Sequence, residues 1–258
     1  MRLKSKGQTL VVTVYTRIGR TAPQAALLSA LVLTLGATPA SWAFPPYRTT
    51  DAETAGDDTL ETRIGLLRLQ IEDSHSMRKT PLSRINYGIG PHFEVISELE
   101  YAIDEDELDE GALGFKWAKL ENRRGFGVET LILLPVRSEL DGAGIESQVI
   151  RTWQQERSRV HVNAGAFYDP RGSSTERGWR ASALAEFPRN RLRPGVELFV
   201  RDSNTTDTRV QAGVGLIASL ERVEIRTGLH VGLNDAAPDL EASVWLSWKW
   251  RVPNPDRP

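Results

Sequence analysis

The sequence predicts an all-β fold, a transmembrane antiparallel up-and-down β-barrel of about twelve strands. Three observations carry that prediction. Apolar and polar residues alternate with a period of two along most of the chain, as they do where side chains point in turn to the two faces of a sheet. The alternating runs are each near ten residues long, the length a tilted strand needs to cross a bilayer. The connections between them are alternately long and short, as in barrels with outer loops on one side and tight turns on the other. The clearest run is Leu240–Arg251. Leu240, Ala242, Val244, Leu246, Trp248 and Trp250 make one apolar face, and Glu241, Ser243, Trp245, Ser247, Lys249 and Arg251 a mostly polar one. A soluble sandwich exported to the periplasm is the competing fold, but it would not alternate its loop lengths in this way.

The chain of 258 residues opens with Arg2, Lys4, Lys6, Arg17 and Arg20, followed by an apolar core from Ala25 to Leu35. Small residues at Ser41 and Ala43 then complete the layout of a secretory signal peptide over residues 1–43, whose basic region is long enough that translation could start further in. The apolar core is too short for a membrane anchor helix. Residues 44–59, with two prolines and no periodicity, read as an irregular N-terminal leader, either periplasmic or folded into the barrel as a plug. Residues 60–252 form the barrel and 253–258 a C-terminal tail.

The expected strands are Leu60–Asp73, Leu82–Gly88, His92–Ile103, Gly111–Leu120, Phe126–Val136, Ile145–Gln154, Val160–Tyr168, Gly178–Phe187, Pro194–Arg201, Arg209–Leu220, Val223–Leu233 and Leu240–Arg251. In the first, Ile64 and Leu66 have one parity and Leu67, Leu69 and Ile71 the other, which a bulge would repair. The third and eighth have clean faces: Phe93, Val95, Leu99 and Tyr101 oppose Glu94, Glu98 and Glu100, and Trp179, Ala181, Ala183 and Ala185 oppose Arg180, Ser182 and Glu186. The longer connections run over residues 74–81, 104–110, 137–144, 169–177, 202–208 and 234–239. The intervening ones, such as 89–91 and 221–222, are mostly tight. With both termini in the periplasm, the longer set faces outward.

If the apolar parity faces lipid, the other lines the lumen. That face carries Glu94, Glu98, Glu100, Lys116, Glu129, Glu146, Gln148, His161, Asn163, Arg180, Glu186, Arg193, Glu197, Arg201, Gln211, Glu224, Arg226, His230, Glu241, Lys249 and Arg251. Bare charges in a narrow interior are costly unless paired or wet, so they either line water or pair into ladders, for example Glu98 with Lys116 and Glu197 with Arg180. Gly114, Gly127, Gly165, Gly213, Gly215, Gly228 and Gly232 share the inward parity, and the space they leave favours a narrow channel over a solid interior. Glu94, Glu98 and Glu100 form the expected cation-attracting patch. Tyr101, Trp117, Tyr168, Trp179, Phe187, Trp248 and Trp250 fall outward near strand ends, as interfacial girdles do.

Composition excludes several classes. With no cysteine, disulfides, thiolate metal sites and lipid attachment through cysteine are excluded. A formal net charge of -2 gives no basis for a nucleic-acid partner. The outer loops hold many aspartates, among them Asp104, Asp106, Asp109, Asp141, Asp169 and Asp202, but no dense calcium-loop spacing, so turn formation is the expected role and no metal or other cofactor is expected. Of four histidines, His161 and His230 point inward, His75 lies in the first outer loop and His92 by a turn. No Gly-x-Ser-x-Gly elbow accompanies them, so the chain is not read as an enzyme. The expected function is passive diffusion of small molecules through an outer-membrane channel. A non-conducting barrel with a charge-paired interior is the main alternative, and a rim hydrolase the third. The expected partners are outer-membrane lipid and lipopolysaccharide, small-molecule cargo and the barrel-assembly machinery.

The stretch Pro45-Pro-Tyr-Arg-Thr-Thr-Asp-Ala-Glu-Thr54 resembles the start of the mature chain in the "MetA-pathway of phenol degradation" transporter family. Asn86-Tyr-Gly-Ile-Gly-Pro-His-Phe-Glu-Val95 is similar to that family's hairpin, Asp109-Glu-Gly111 to the loop after it, and Gly111-Ala-Leu-Gly-Phe-Lys-Trp117 to the following strand. The resemblance implies an outer-membrane barrel that passes small, often hydrophobic or aromatic molecules. It carries over no catalytic or binding residue.

Overall fold

The computed structural model describes residues 45–72, 75–79, 83–103 and 106–253. The signal peptide expected over 1–43 lies outside them, as do Phe44, Asp104 and the tail after Pro253. The described residues form thirteen strand segments. In order they are β1 (Thr59–Glu72), β2 (His75–Lys79), β3 (Ser83–Ile89), β4 (Phe93–Ala102), β5 (Glu107–Glu121), β6 (Arg124–Leu134) and β7 (Gly144–Gln154). There follow β8 (Arg159–Asp169), β9 (Glu176–Glu186), β10 (Leu192–Ser203), β11 (Arg209–Ser219), β12 (Val223–Gly232) and β13 (Leu240–Arg251).

From β3 to β13 each strand pairs antiparallel with the next, β1 pairs with both β2 and β3, and β1 closes the wall by pairing with β13 from Thr59↔Arg251 to Ile71↔Leu240. Segments β2 and β3 lie in succession along β1, so the wall is a closed barrel of twelve strands. The expected loop over residues 74–81 is corrected here: His75–Lys79 continues the second strand, and His75 pairs with Glu72 rather than lying in a loop. The bulge in β1 falls between Gly65 and Leu67 and leaves Leu66 facing outward. Asn122 and Arg123 both have positive φ, the geometry of a two-residue hairpin whose twist suits its strands.

The wall is inverted relative to a water-soluble protein. Among the described residues thirty large apolar side chains are exposed, whereas 33 polar or charged residues are buried against 15 apolar ones. Val95, Leu113, Val149, Val196 and Val214 belong to the exposed apolar face, and Trp117, Tyr168, Trp179, Phe187 and Trp250 are exposed with them. A surface of that extent needs lipid around it. The sequence periodicity therefore positions an apolar outside and a charged inside with one rule, the parity of the strand.

The leader lies inside. Residues 45–58 enter the lumen at the end of the tight turns, where Asp58 bonds Gly88, rise to mid-height at Arg48–Thr50 and descend again to Pro45. Tyr47 packs with Leu184 and Ile217, and Ala52 with Ala118 and Ile150, so two inward apolar patches anchor the segment.

Candidate functional site

The lumen is organised around the leader's backbone. Glu197 on β10 accepts from the Arg48 and Thr49 amides at 3.0 and 2.5 Å. Asn163 on β8 accepts from the Thr50 amide at 2.6 Å and donates to the Thr50 carbonyl at 3.0 Å, a side-chain imitation of a strand neighbour. Thr152 on β7 and Glu94 on β4 take the Ala52 and Ala55 amides at 2.9 and 2.6 Å. An irregular segment can enter a barrel because its amides are met one by one in this way.

The inward glycines are where the leader comes closest. A Cβ on Gly215 would lie 2.6 Å from the Tyr47 ring, and one on Gly195 would lie 2.6 Å from its hydroxyl. Gly228 faces Pro46 at 2.8 Å, and Gly125 faces Ala52 Cβ at 2.7 Å. Sequence parity correctly sets Gly215 and Gly228 inward, but the space beside them holds the leader and not an open passage. Gly213 instead makes room for the His230 ring.

Most of the charged side chains expected in the lumen are buried and held in pairs; Arg193 and Glu224 are half-buried, and Lys249 and Arg251, at the rim, are exposed. Glu98 pairs with Arg84, which also reaches Glu129 at 2.7 Å. Glu100 meets Arg68 at 3.4 Å, and Arg68 reaches Glu241 at 3.2 Å, where Arg48 arrives at 2.5 Å. Glu94 stands 3.9 Å from Lys116 and bonds Asn86 at 2.8 Å. The expected cation-attracting patch is thus corrected: each of its three carboxylates has a cation beside it. Arg180 pairs with Glu146 at 2.5 Å, not with Glu197, and Arg201 joins Glu176 at 3.2 Å while lying over the Phe167 ring. Register accounts for both misassigned pairs, because Glu98 stands opposite Ala112 and Glu197 opposite Leu184.

His161 bridges Thr152 at 2.9 Å and Glu186 at 3.2 Å, and His230 meets Glu197 at 2.7 Å. Each ring is engaged in a contact that supports the wall or the leader. Lys249 sits at the rim, half exposed, with its ammonium 3.2 Å from Glu61. The cations Arg48, Arg63, Arg68 and Arg84 were not among the expected lumen residues. Arg84 alternates with Asn86 and was legible by parity, whereas Arg63 and Arg68 lie on either side of the β1 bulge, which changes the parity between them.

Beneath the leader, at the turn end, the lumen holds a cavity of about 220 Å³. One part of the lining carries Arg63, Arg193, Arg226 and Lys249, which pair with Glu61 and Glu224. The facing lining groups are Asp51 and Glu53 of the leader and Glu94 of β4. The cations that answer these acids, Lys116 and Arg159, stand outside the lining. Burial works against the charge of Asp51, yet Lys116 first, then His161, Arg159 and Arg63, hold its carboxyl down to about 2. Among the described residues no cluster of three or more histidine, aspartate or glutamate side chains could hold a metal ion.

No family model and no curated protein sequence matches this chain. Solved structures do. The NanC porin superposes with a TM-score of 0.55 at 10% identity, over 75% of this chain and 100% of the porin. An outer membrane channel from Pseudomonas putida F1 superposes with a TM-score of 0.57 at 9% identity, over 78% of this chain and 98% of the channel. At these identities the likeness is one of fold.

Proposed function

We propose that this chain is an outer-membrane channel for passive diffusion of small molecules, narrowed by its own leader. The single observation that carries the reading is the inverted wall, closed on itself and lined by charge, with a cavity beneath the segment that crosses the lumen. Apart from Tyr47, Ala52 and the patches that receive them, the leader is held by hydrogen bonds and ion pairs, which water can replace. The porin and channel named above support the reading through their fold.

The reading is non-catalytic: both inward histidines are buried, paired with Glu186 and Glu197, and outside the lining of the cavity. Lipid and lipopolysaccharide surround the apolar band, and the barrel-assembly machinery inserts it. Hydrophobic or aromatic cargo, implied by the resemblance to the phenol-degradation transporter family, is the second reading. It is favoured by one observation, the inward apolar cluster of Ile96, Ala112, Leu131 and Leu133. The test is single-channel recording of the refolded chain in a planar bilayer, with heat-modifiable gel migration to verify folding. Reproducible steps that grow when residues 45–57 are removed support a leader-narrowed channel. A folded barrel that stays silent without its leader refutes it in favour of a structural role.

A further inference from the structure

The cavity at the turn end has charge of opposite sign on facing walls. Arg63, Arg193, Arg226 and Lys249 on β1, β10, β12 and β13 pair with Glu61 and Glu224, while Asp51 and Glu53 of the leader and Glu94 of β4 pair with Lys116 and Arg159, which are not part of the lining. A solute with one charge would meet attraction on one wall and repulsion on the other. An uncharged apolar solute would strip water from both walls without replacing its hydrogen bonds. A solute with an anionic and a cationic end meets attraction on both.

We propose that this cavity is a binding site for small zwitterions of the ω-amino acid type. Their carboxylate lies toward Arg193, Arg226 and Lys249, and their ammonium toward Asp51, Glu53 and Glu94. The volume of about 220 Å³ limits the site to a small solute. The site is incomplete without the leader, which supplies two of the three acids. The inference deepens the channel reading by naming a solute class, and it shares the premise that solute reaches the lumen from the turn end.

Equilibrium binding to the full chain in detergent tests it without requiring conduction. The probe is 4-aminobutyrate, compared with butyrate, butylammonium and phenol at neutral pH. A charged hydrogen bond contributes about 1.5–3 kcal/mol, so the zwitterion is expected to bind at least about tenfold more tightly than either singly charged probe. Arg193→Gln combined with Lys249→Gln, both near the rim, is expected to erase the advantage over butylammonium. Glu53→Gln on the partly exposed opposite wall is expected to reduce the advantage over butyrate. Equal binding of all charged probes, or tighter binding of phenol, overturns the proposal. So does an advantage that survives both sets of substitutions. Bilayer recording separates the two readings: a silent barrel that still binds the zwitterion refutes the channel alone, and a conducting barrel without the preference refutes the cavity assignment alone.

Discussion

Replacing Gly215 by valine should loosen the leader through a single contact. The three heavy atoms nearest to a Cβ at this position all belong to Tyr47, at 2.6 to 3.0 Å, so the new side chain and the ring cannot share the space. Tyr47 is 2% exposed and packs on Leu184 and Ile217, and losing such burial costs about 2 kcal/mol, which is about thirtyfold in an equilibrium constant. The chain contains no cysteine, so Ala52→Cys places one thiol at a fully buried leader position. Its labelling by a maleimide then reports how often the leader leaves its seat. The expected result is labelling faster by about thirtyfold in Gly215→Val. In a Tyr47→Ala background, where the ring is gone, the same valine should add little, because contacting residues do not act independently. An unchanged rate, or an equal acceleration with and without the ring, would refute the steric account.

Three further outcomes are expected. Arg84→Met strands Glu98 and Glu129 in the interior and should lower stability by about 3–5 kcal/mol, seen as gel migration converting at lower temperature. Adding Glu98→Gln and Glu129→Gln should recover much of the loss. Docking of the leader through Asp51 should be constant from neutral pH down to about 4, its ordinary range. It should weaken as pH falls toward about 2, the value in the docked state, because a depressed carboxyl stabilises only while ionised. The contribution is on the order of 2 kcal/mol, so conductance should rise in that acid window, and Asp51→Asn should remove the rise. Val214→Arg on the exposed apolar face should cost about 2–4 kcal/mol of refolding stability in lipid if it lies near the bilayer midplane, whereas Val214→Leu should cost little.

Strand parity made the wall legible because one apolar and one polar neighbour per step is a local signal. It set Glu94, Lys116, Glu129 and Arg226 inward without reference to any other strand. It could not pair them, since partners depend on register, and Arg84 rather than Lys116 answers Glu98 for that reason. The stretch His75–Lys79 has no clean alternation and is followed by Pro81, which reads as a loop, yet β1 is long enough to carry it as a ladder. The leader was legible only as non-periodic. Partners such as Glu94 and Glu241 lie 39 and 193 residues away, so nothing within the segment could say whether it folds inward. The glycines were ambiguous in the same way: sequence tells which face lacks a side chain, not what occupies the space.

The seat of the leader is assembled from β4, β7, β8, β10 and β13, with glycines contributed by β6, β11 and β12. No hairpin or half-barrel contains it. The complete seat therefore exists only where strands from β4 round to β13 are brought together. The N-terminal segment thus draws its contacts from nearly the whole circuit of the wall. Its order is a report that the ring is whole.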